Sequence, residues 1–261
     1  MATDPFSTRD VTLHSGHLRV REAGQGRPLL HLHSAAGPRV SPVVLTLTRK
    51  HRVIAPVAPG FDAMPLDPAV KDFPALAGLY AEFIKQEIGA ACDVVGESFG
   101  GRLALWLAAL HPDLVDQMVL EGPAGFRRPS KDWPPASPAD RDHMLYARPD
   151  RAPAETRSAE QQAANRKATD SYANGITYDE ALAAKLPDIH ARTLIVMGCQ
   201  EKVVPAEAGR LLKARIPHAH LTYVFGAGHA VEFDQPDLVG RLVADFLERG
   251  ESFIVRDPEA A

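Results

Sequence analysis

Apolar and polar positions follow two rhythms along this chain. At residues 11–14 and 18–22 they alternate singly around Ser15-Gly16, which predicts a hairpin of two half-buried strands. Short, mostly apolar runs follow at 28–33, 51–56, 91–95, 117–121, 193–198 and 221–225, as expected of buried strands. Between them the spacing lengthens. Leu76, Leu79, Tyr80, Phe83, Ile84 and Ile88 recur at three- and four-residue steps up to Gly89 and predict a helix over 74–88. Leu103, Leu105, Trp106, Leu107 and Leu110 make the segment after residue 98 apolar nearly all round, the mark of a buried helix. Further helices are expected over 42–50 and 205–215, and Leu238, Val239, Leu242, Val243, Phe246 and Leu247 mark an amphipathic final helix. Strands alternating with helices predict an α/β fold, with a mostly parallel central sheet flanked by helices on both faces.

The rhythm breaks after residue 122. Residues 127–138 are rich in proline and charge, and 154–175 contain few large apolar side chains. Long structureless insertions are uncommon in compact domains, so residues 123–190 are expected to form an inserted helical cap on a core made of 1–122 and 191–261. Ser137-Pro138 can start one cap helix, and Thr177-Tyr178-Asp179-Glu180 has the spacing of a capping box for another.

Composition narrows the function classes. A chain of 261 residues with 45% hydrophobic residues, 24% charged residues and a net charge of -4 is ordinary for a globular domain that buries a sizeable core. No basic face is evident, so a nucleic-acid partner is not expected. The start, Met1 to Phe6, has neither the basic nor the apolar part of a secretory signal, and no segment is long enough to span a bilayer; a cytoplasmic setting without a membrane partner is expected. Two cysteines make no disulfide framework: Cys92 reads as a small core residue and Cys199 as a loop thiol.

The chemistry concentrates at Val94-Val95-Gly96-Glu97-Ser98-Phe99-Gly100-Gly101, where an apolar run passes into a serine flanked by glycines. This pattern places a serine on a sharp strand-to-helix turn, with the Phe99 backbone N–H at a helix N-terminus able to stabilise a developing oxyanion. His33-Ser34-Ala35-Ala36-Gly37 follows a strand, Ala58-Pro59-Gly60-Phe61 forms a turn, and Gly198 to Pro205 and Gly228-His229 follow the last two strands. On these motifs the chain resembles the α/β-hydrolase superfamily across nearly all of residues 11–249.

The resemblance implies an α/β-hydrolase fold and a Ser-His-acid triad of Ser98, His229 and Glu201, in the family's chain order. A serine hydroxyl needs a base to remove its proton, and imidazole changes protonation near neutral pH. A carboxylate on the other ring nitrogen fixes the tautomer and stabilises the imidazolium. The family more often has aspartate at the position of Glu201, and some members place the acid near Glu121, so both glutamates are candidates. The oxyanion hole is expected from the backbone N–H groups of Phe99 and, by analogy, Ala35. Ser34 replaces the family's usual glycine and is a candidate substrate-binding residue; Val57 replaces a common aspartate. His31 and His33 could together offer metal ligands, but no third ligand is evident, so neither metal nor cofactor is expected.

Serine at the elbow, in place of aspartate, argues against the dehalogenase and epoxide-hydrolase branches. The expected function is hydrolysis of a small carboxylic ester, thioester or lactone. The rival is carbon–carbon bond hydrolysis of the meta-cleavage-product type, weakened by Ala230 where those enzymes often have tryptophan. A perhydrolase using the same triad, and a non-catalytic receptor that keeps the fold, are the remaining alternatives.

Overall fold

A computed structural model describes residues 4–128 and 141–250 of the chain. Its frame is an eight-stranded sheet in the order β1-β2-β4-β3-β5-β6-β7-β8. β1 (Ser7–Leu13) and β2 (Gly16–Ala23) form the expected hairpin, and β2 runs antiparallel to β4 (His51–Val57). From β4 onward every neighbouring pair is parallel, through β3 (Arg27–Leu32), β5 (Cys92–Glu97), β6 (Val115–Glu121), β7 (Arg192–Gly198) and β8 (Ala219–Val224). The mostly apolar runs are thus the strands of the parallel part, whose two faces are both covered.

One face packs under α2 (Phe73–Phe83), α3 (Phe99–Leu110) and α7 (Ala206–Arg215), with Leu30, Val94, Met118 and Ile195 buried beneath them. The other face, with Leu29, Val53, Val95, Val119 and Leu194, packs under α1 (Pro42–Leu47), α8 (Val231–Asp234) and α9 (Pro236–Arg249). The helix read over 74–88 leaves α-geometry at residue 84 and ends in a π-helical turn, Ile84–Ile88, closed by Gly89 at φ 75°. On α9 the buried residues are Val239, Gly240, Val243, Phe246 and Leu247, whereas Leu238 is exposed and not part of the buried face. Among the described residues no helix is long and apolar enough to cross a membrane.

Between β6 and β7 the chain makes an excursion with three described α-helices: α4 (Arg141–Leu145), α5 (Ala159–Ala173) and α6 (Glu180–Lys185). The helix start expected at Ser137-Pro138 lies outside the described residues. The capping box expected from Thr177 does not form. Thr177 O accepts from Arg127 N at 3.0 Å and Tyr178 bridges antiparallel to Phe126, so this stretch is extended; α6 starts at Glu180 with Asp179 as its N-cap. Asp179 Oδ1 accepts from Leu182 N at 3.0 Å, while Oδ2 accepts from Arg102 Nη2 at 2.6 Å and Trp106 Nε1 at 3.0 Å. One buried carboxylate therefore caps α6 and ties it to α3.

Candidate active site

The parallel strands deliver their following loops to one edge of the sheet, and the candidate residues lie in those loops. Ser98 connects β5 to α3 with φ 51° and ψ -104°, a conformation that L-residues rarely hold. The turn is held from outside: Ser98 N donates to Glu121 O at 2.8 Å and Ser98 O accepts from Ala124 N at 3.0 Å. Only glycine fits at position 100, where a Cβ would stand 2.0 Å from Leu32 O. Phe99 turns its ring into a buried aromatic group, 4.9 Å from Phe73 and 5.2 Å from Phe61 between ring centroids. Its backbone N–H opens α3, where the first N–H groups have no partner within the helix.

The loop after β3 is fixed by His33, whose Nδ1 donates to Ser34 O at 2.8 Å while Nε2 accepts from Ala58 N at 3.1 Å. Burial pushes its pKa down to about 4, so the ring is neutral and both nitrogens are engaged. His33 therefore has no nitrogen left for a metal. Among the described residues no group of three or more His, Cys, Asp or Glu could hold a metal ion. Asn165 of α5 holds the loop from above: its Nδ2 donates to Ala36 O at 2.8 Å and its Oδ1 accepts from Asp62 N at 3.0 Å.

Glu201 Oε2 lies 2.7 Å from His229 Nδ1, and Glu201 Oε1 accepts from Val203 N at 2.7 Å and Val204 N at 3.1 Å. Burial opposes ionisation of Glu201, but His229 and the two N–H groups outweigh it and hold its pKa below the usual carboxylate value. Burial likewise opposes the imidazolium, yet Glu201 and then Glu97 raise the pKa of His229. Gly122, at φ 50°, lies against this pair: a Cβ there would stand 2.9 Å from His229 Nδ1 and 3.2 Å from Glu201 Oε2. Glu121, the other candidate acid, is fully buried and makes no hydrogen bond to His229.

Ser98, His229, Ser34 and Ala35 line one cavity of about 270 Å³ together with Glu97. The excursion supplies the opposite wall through Arg141, Tyr146, Gln162 and Asn165. Arg39, from the loop after β3, and Arg141 join the two sides of the cavity lining, their Nη2 and Nη1 sharing Glu155 Oε2 at 2.7 Å and 3.1 Å. Among the described residues no hydrogen bond joins Ser98 Oγ to His229; such contacts commonly tighten only in the substrate complex. Cys92 is buried in β5 and its thiol is pushed up to about 12, whereas Cys199 is exposed.

Gly122 and Asn165 are the site residues that sequence reasoning misses. Gly122 could be suspected from its place directly after β6, which neighbours β5. Nothing local marks Asn165, which is one polar residue among many on α5.

The model of the alpha/beta hydrolase family matches residues 26–242. The chain is 31% identical over 258 residues to the 2-hydroxy-6-oxo-2,4-heptadienoate hydrolase of Pseudomonas putida, covering 87% of this chain and 91% of that one. It is 28% identical over 204 residues to the pimeloyl-[acyl-carrier protein] methyl ester esterase of Neisseria meningitidis, covering 70% and 78%. The solved structure of the 2-hydroxy-6-oxo-6-phenylhexa-2,4-dienoate hydrolase of Rhodococcus superposes with a TM-score of 0.74 at 21% identity, over 93% of this chain and 99% of that one.

Proposed function

Because the chain belongs to the alpha/beta hydrolase family, we propose that it is a serine hydrolase cleaving a small carboxylic ester, thioester or lactone through an acyl-enzyme on Ser98. The observation that carries this reading is the strained turn at Ser98 opening onto the same cavity as a His229–Glu201 pair 2.7 Å apart. His229 takes the Ser98 proton as Oγ attacks the substrate carbonyl, and Glu201 holds the tautomer and stabilises the imidazolium. The backbone N–H groups of Phe99 and Ala35 receive the oxyanion. His229 then protonates the leaving group, and water releases the acyl group by the same route in reverse. In this reading the described part of the excursion, through Arg141, Tyr146, Gln162 and Asn165, caps the pocket, and Ser34, which lines it, contacts the substrate.

A second reading is supported by the relatives' names. The chain is also 29% identical to a 2-hydroxymuconate semialdehyde hydrolase of Pseudomonas putida, over 95% of this chain, and in this second reading Ser98, His229 and Glu201 would hydrolyse a carbon–carbon bond of a dienoate. Intact mass after a fluorophosphonate probe tests what the two share. A single adduct is expected on the wild type and none on Ser98→Ala, whose turnover should fall by about 10⁴-fold or more. An unlabelled, folded wild type would overturn both readings in favour of a receptor. With labelling established, parallel kcat/KM values on simple esters and on a 2-hydroxy-6-oxo-dienoate decide between them, and a higher value on the dienoate overturns the ester assignment.

A further inference from the structure

The end of β5 carries a second carboxyl that the proposed triad leaves unused. Glu97 precedes Ser98 and lines the cavity with Ser98, His229 and Ser34. Its register partner on β6 is Glu121, so the two side chains stand next to each other on one sheet face. That face carries Val95 and Val119 beneath α1, α8 and α9. Glu232 of α8 and His31 of β3 complete the group, with His31 Nε2 3.9 Å from Glu232 Oε1. Glu121, Glu232 and His31 are buried, and both Glu121 oxygens lack a hydrogen-bond partner among the described residues.

Three ionised carboxylates are not tolerated together in a site shielded from water. Burial, then the charges of Glu232 and Glu97, push Glu121 well above the usual range, so it keeps its proton. Burial opposes the charge on Glu232, but His31 and Ser41 outweigh it and hold that pKa low. Glu97 is the member that opens to the cavity. Burial and then Glu232 push it up to about 7, against the pull of His229, His31 and Ser34. Tyr146, following α4, lines the same cavity, and its pKa is raised, chiefly by burial.

We infer that Glu97 is a positioning residue for the hydrolytic reaction: its carboxylate supports the His229 imidazolium from the cavity side while Glu201 holds Nδ1, and its ionisation sets the acid limit of activity. The inference rests on the serine-hydrolase reading. As the bond from Ser98 Oγ to the carbonyl carbon forms and the carbonyl π pair moves to oxygen, the serine proton passes to His229 Nε2. Glu97 transfers nothing and contributes only its charge. Below about pH 7 that charge is lost and the imidazolium has one carboxylate fewer beside it.

The test is the rate of fluorophosphonate labelling from about pH 5 to about pH 9 for wild type, Glu97→Gln and Glu232→Gln, each with a thermal melt. Glu97→Gln should lower the alkaline plateau roughly three- to tenfold and move the acid limb down by about half to one pH unit, because the glutamine does not titrate and the limb that remains is that of His229, which has lost a charge that raises its pKa. Glu232→Gln leaves Glu97 in place, removes a charge that raises it, and should lower the limb by about half a unit with the plateau kept, which tests the inference even if Glu97→Gln does not fold. A Glu97→Gln profile that is unchanged, or uniformly reduced with its limb unmoved, overturns the inference while leaving the hydrolase reading intact. A limb unmoved by Glu232→Gln overturns it as well. A wild type unlabelled at every pH removes the hydrolase reading, and the inference with it.

Discussion

Two helices of nearly equal length are attached to this molecule by different forces. α9, with 14 residues, buries Val239, Val243, Phe246 and Leu247 against one sheet face. α5, with 15 residues, buries only Asn165, Ala168 and Tyr172. Fully burying a large apolar side chain stabilises by about 1.5 to 3 kcal/mol, without directional preference. A hydrogen bond contributes about 0.5 to 1.5 kcal/mol net but fixes geometry. Ala168 and Tyr172 of α5 pack into the core, but the remaining α5 contacts are of this second kind and land on the loops around Ser98. Asn165 holds Ala36 and Asp62, Tyr172 Oη donates to Pro59 O at 3.0 Å, and Arg157, just before the helix, reaches Asp62 at 2.9 Å and the Pro38 carbonyl. Packing under α9 therefore sets how stable the domain is, whereas the excursion sets how the site is shaped.

Asp179 offers the largest break in that comparison, because there the excursion depends on a buried charge. Its partner Arg102 has a side chain only 5% exposed, and Asp179→Ala leaves that guanidinium without a carboxylate, with only the Ile176 carbonyl and the Phe73 ring beside it, while uncapping α6. Urea unfolding should show a loss of about 3 to 5 kcal/mol. A loss under about 1 kcal/mol would mean that α6 and α3 are not coupled. A smaller and different effect is expected one step outward. Arg157→Ala removes the tie from α5's start to Asp62 and to the loop at Pro38, and should slow fluorophosphonate labelling roughly tenfold while shifting unfolding by no more than about 1.5 kcal/mol. If stability falls and labelling does not, the division between the two regions is wrong.

The same division explains what could be read from the sequence. β5, β7 and the final helix are written in side chains that face water or core by local rhythm, and the Ser98 turn carries its glycines beside it. Period and turn chemistry are local signals. Thr177 misleads a local reading because its carbonyl is taken by Arg127 from the far side of the excursion, a contact that no local spacing reports. Gly122 and Asn165 are silent for the same reason: their partners, His229 and the loops at Ala36 and Asp62, are 107, 129 and 103 residues away in sequence or placed there only by the sheet order. Glu97 was visible as a letter within the elbow motif, but its neighbours Glu121 and Glu232 come from another strand and another helix.

The smallest effect concerns the Glu201–His229 pair, which lies on loops after β7 and β8 and should belong to the core's account. The Glu201 carboxyl is held below its ordinary 4.5, so its contribution to stability is present above pH 4.5 and disappears as pH falls through the lowered folded value. The His229 ring is held above its ordinary 6.5, so its contribution is complete below pH 6.5 and disappears as pH rises through the raised folded value. Both apply together between those two ordinary values. Glu201→Gln should therefore cost most in that window, about 0.5 to 1 kcal/mol by urea unfolding, and progressively less as pH rises through the raised folded value of His229. Repeating the comparison in Arg157→Ala should give the same window, since the pair's partners Val203, Val204 and Gly122 are core residues outside α5. A window that narrows or shifts in that background would show that the excursion holds the pair as well as the pocket, and α5 would then carry part of the charge balance now assigned to the sheet's loops.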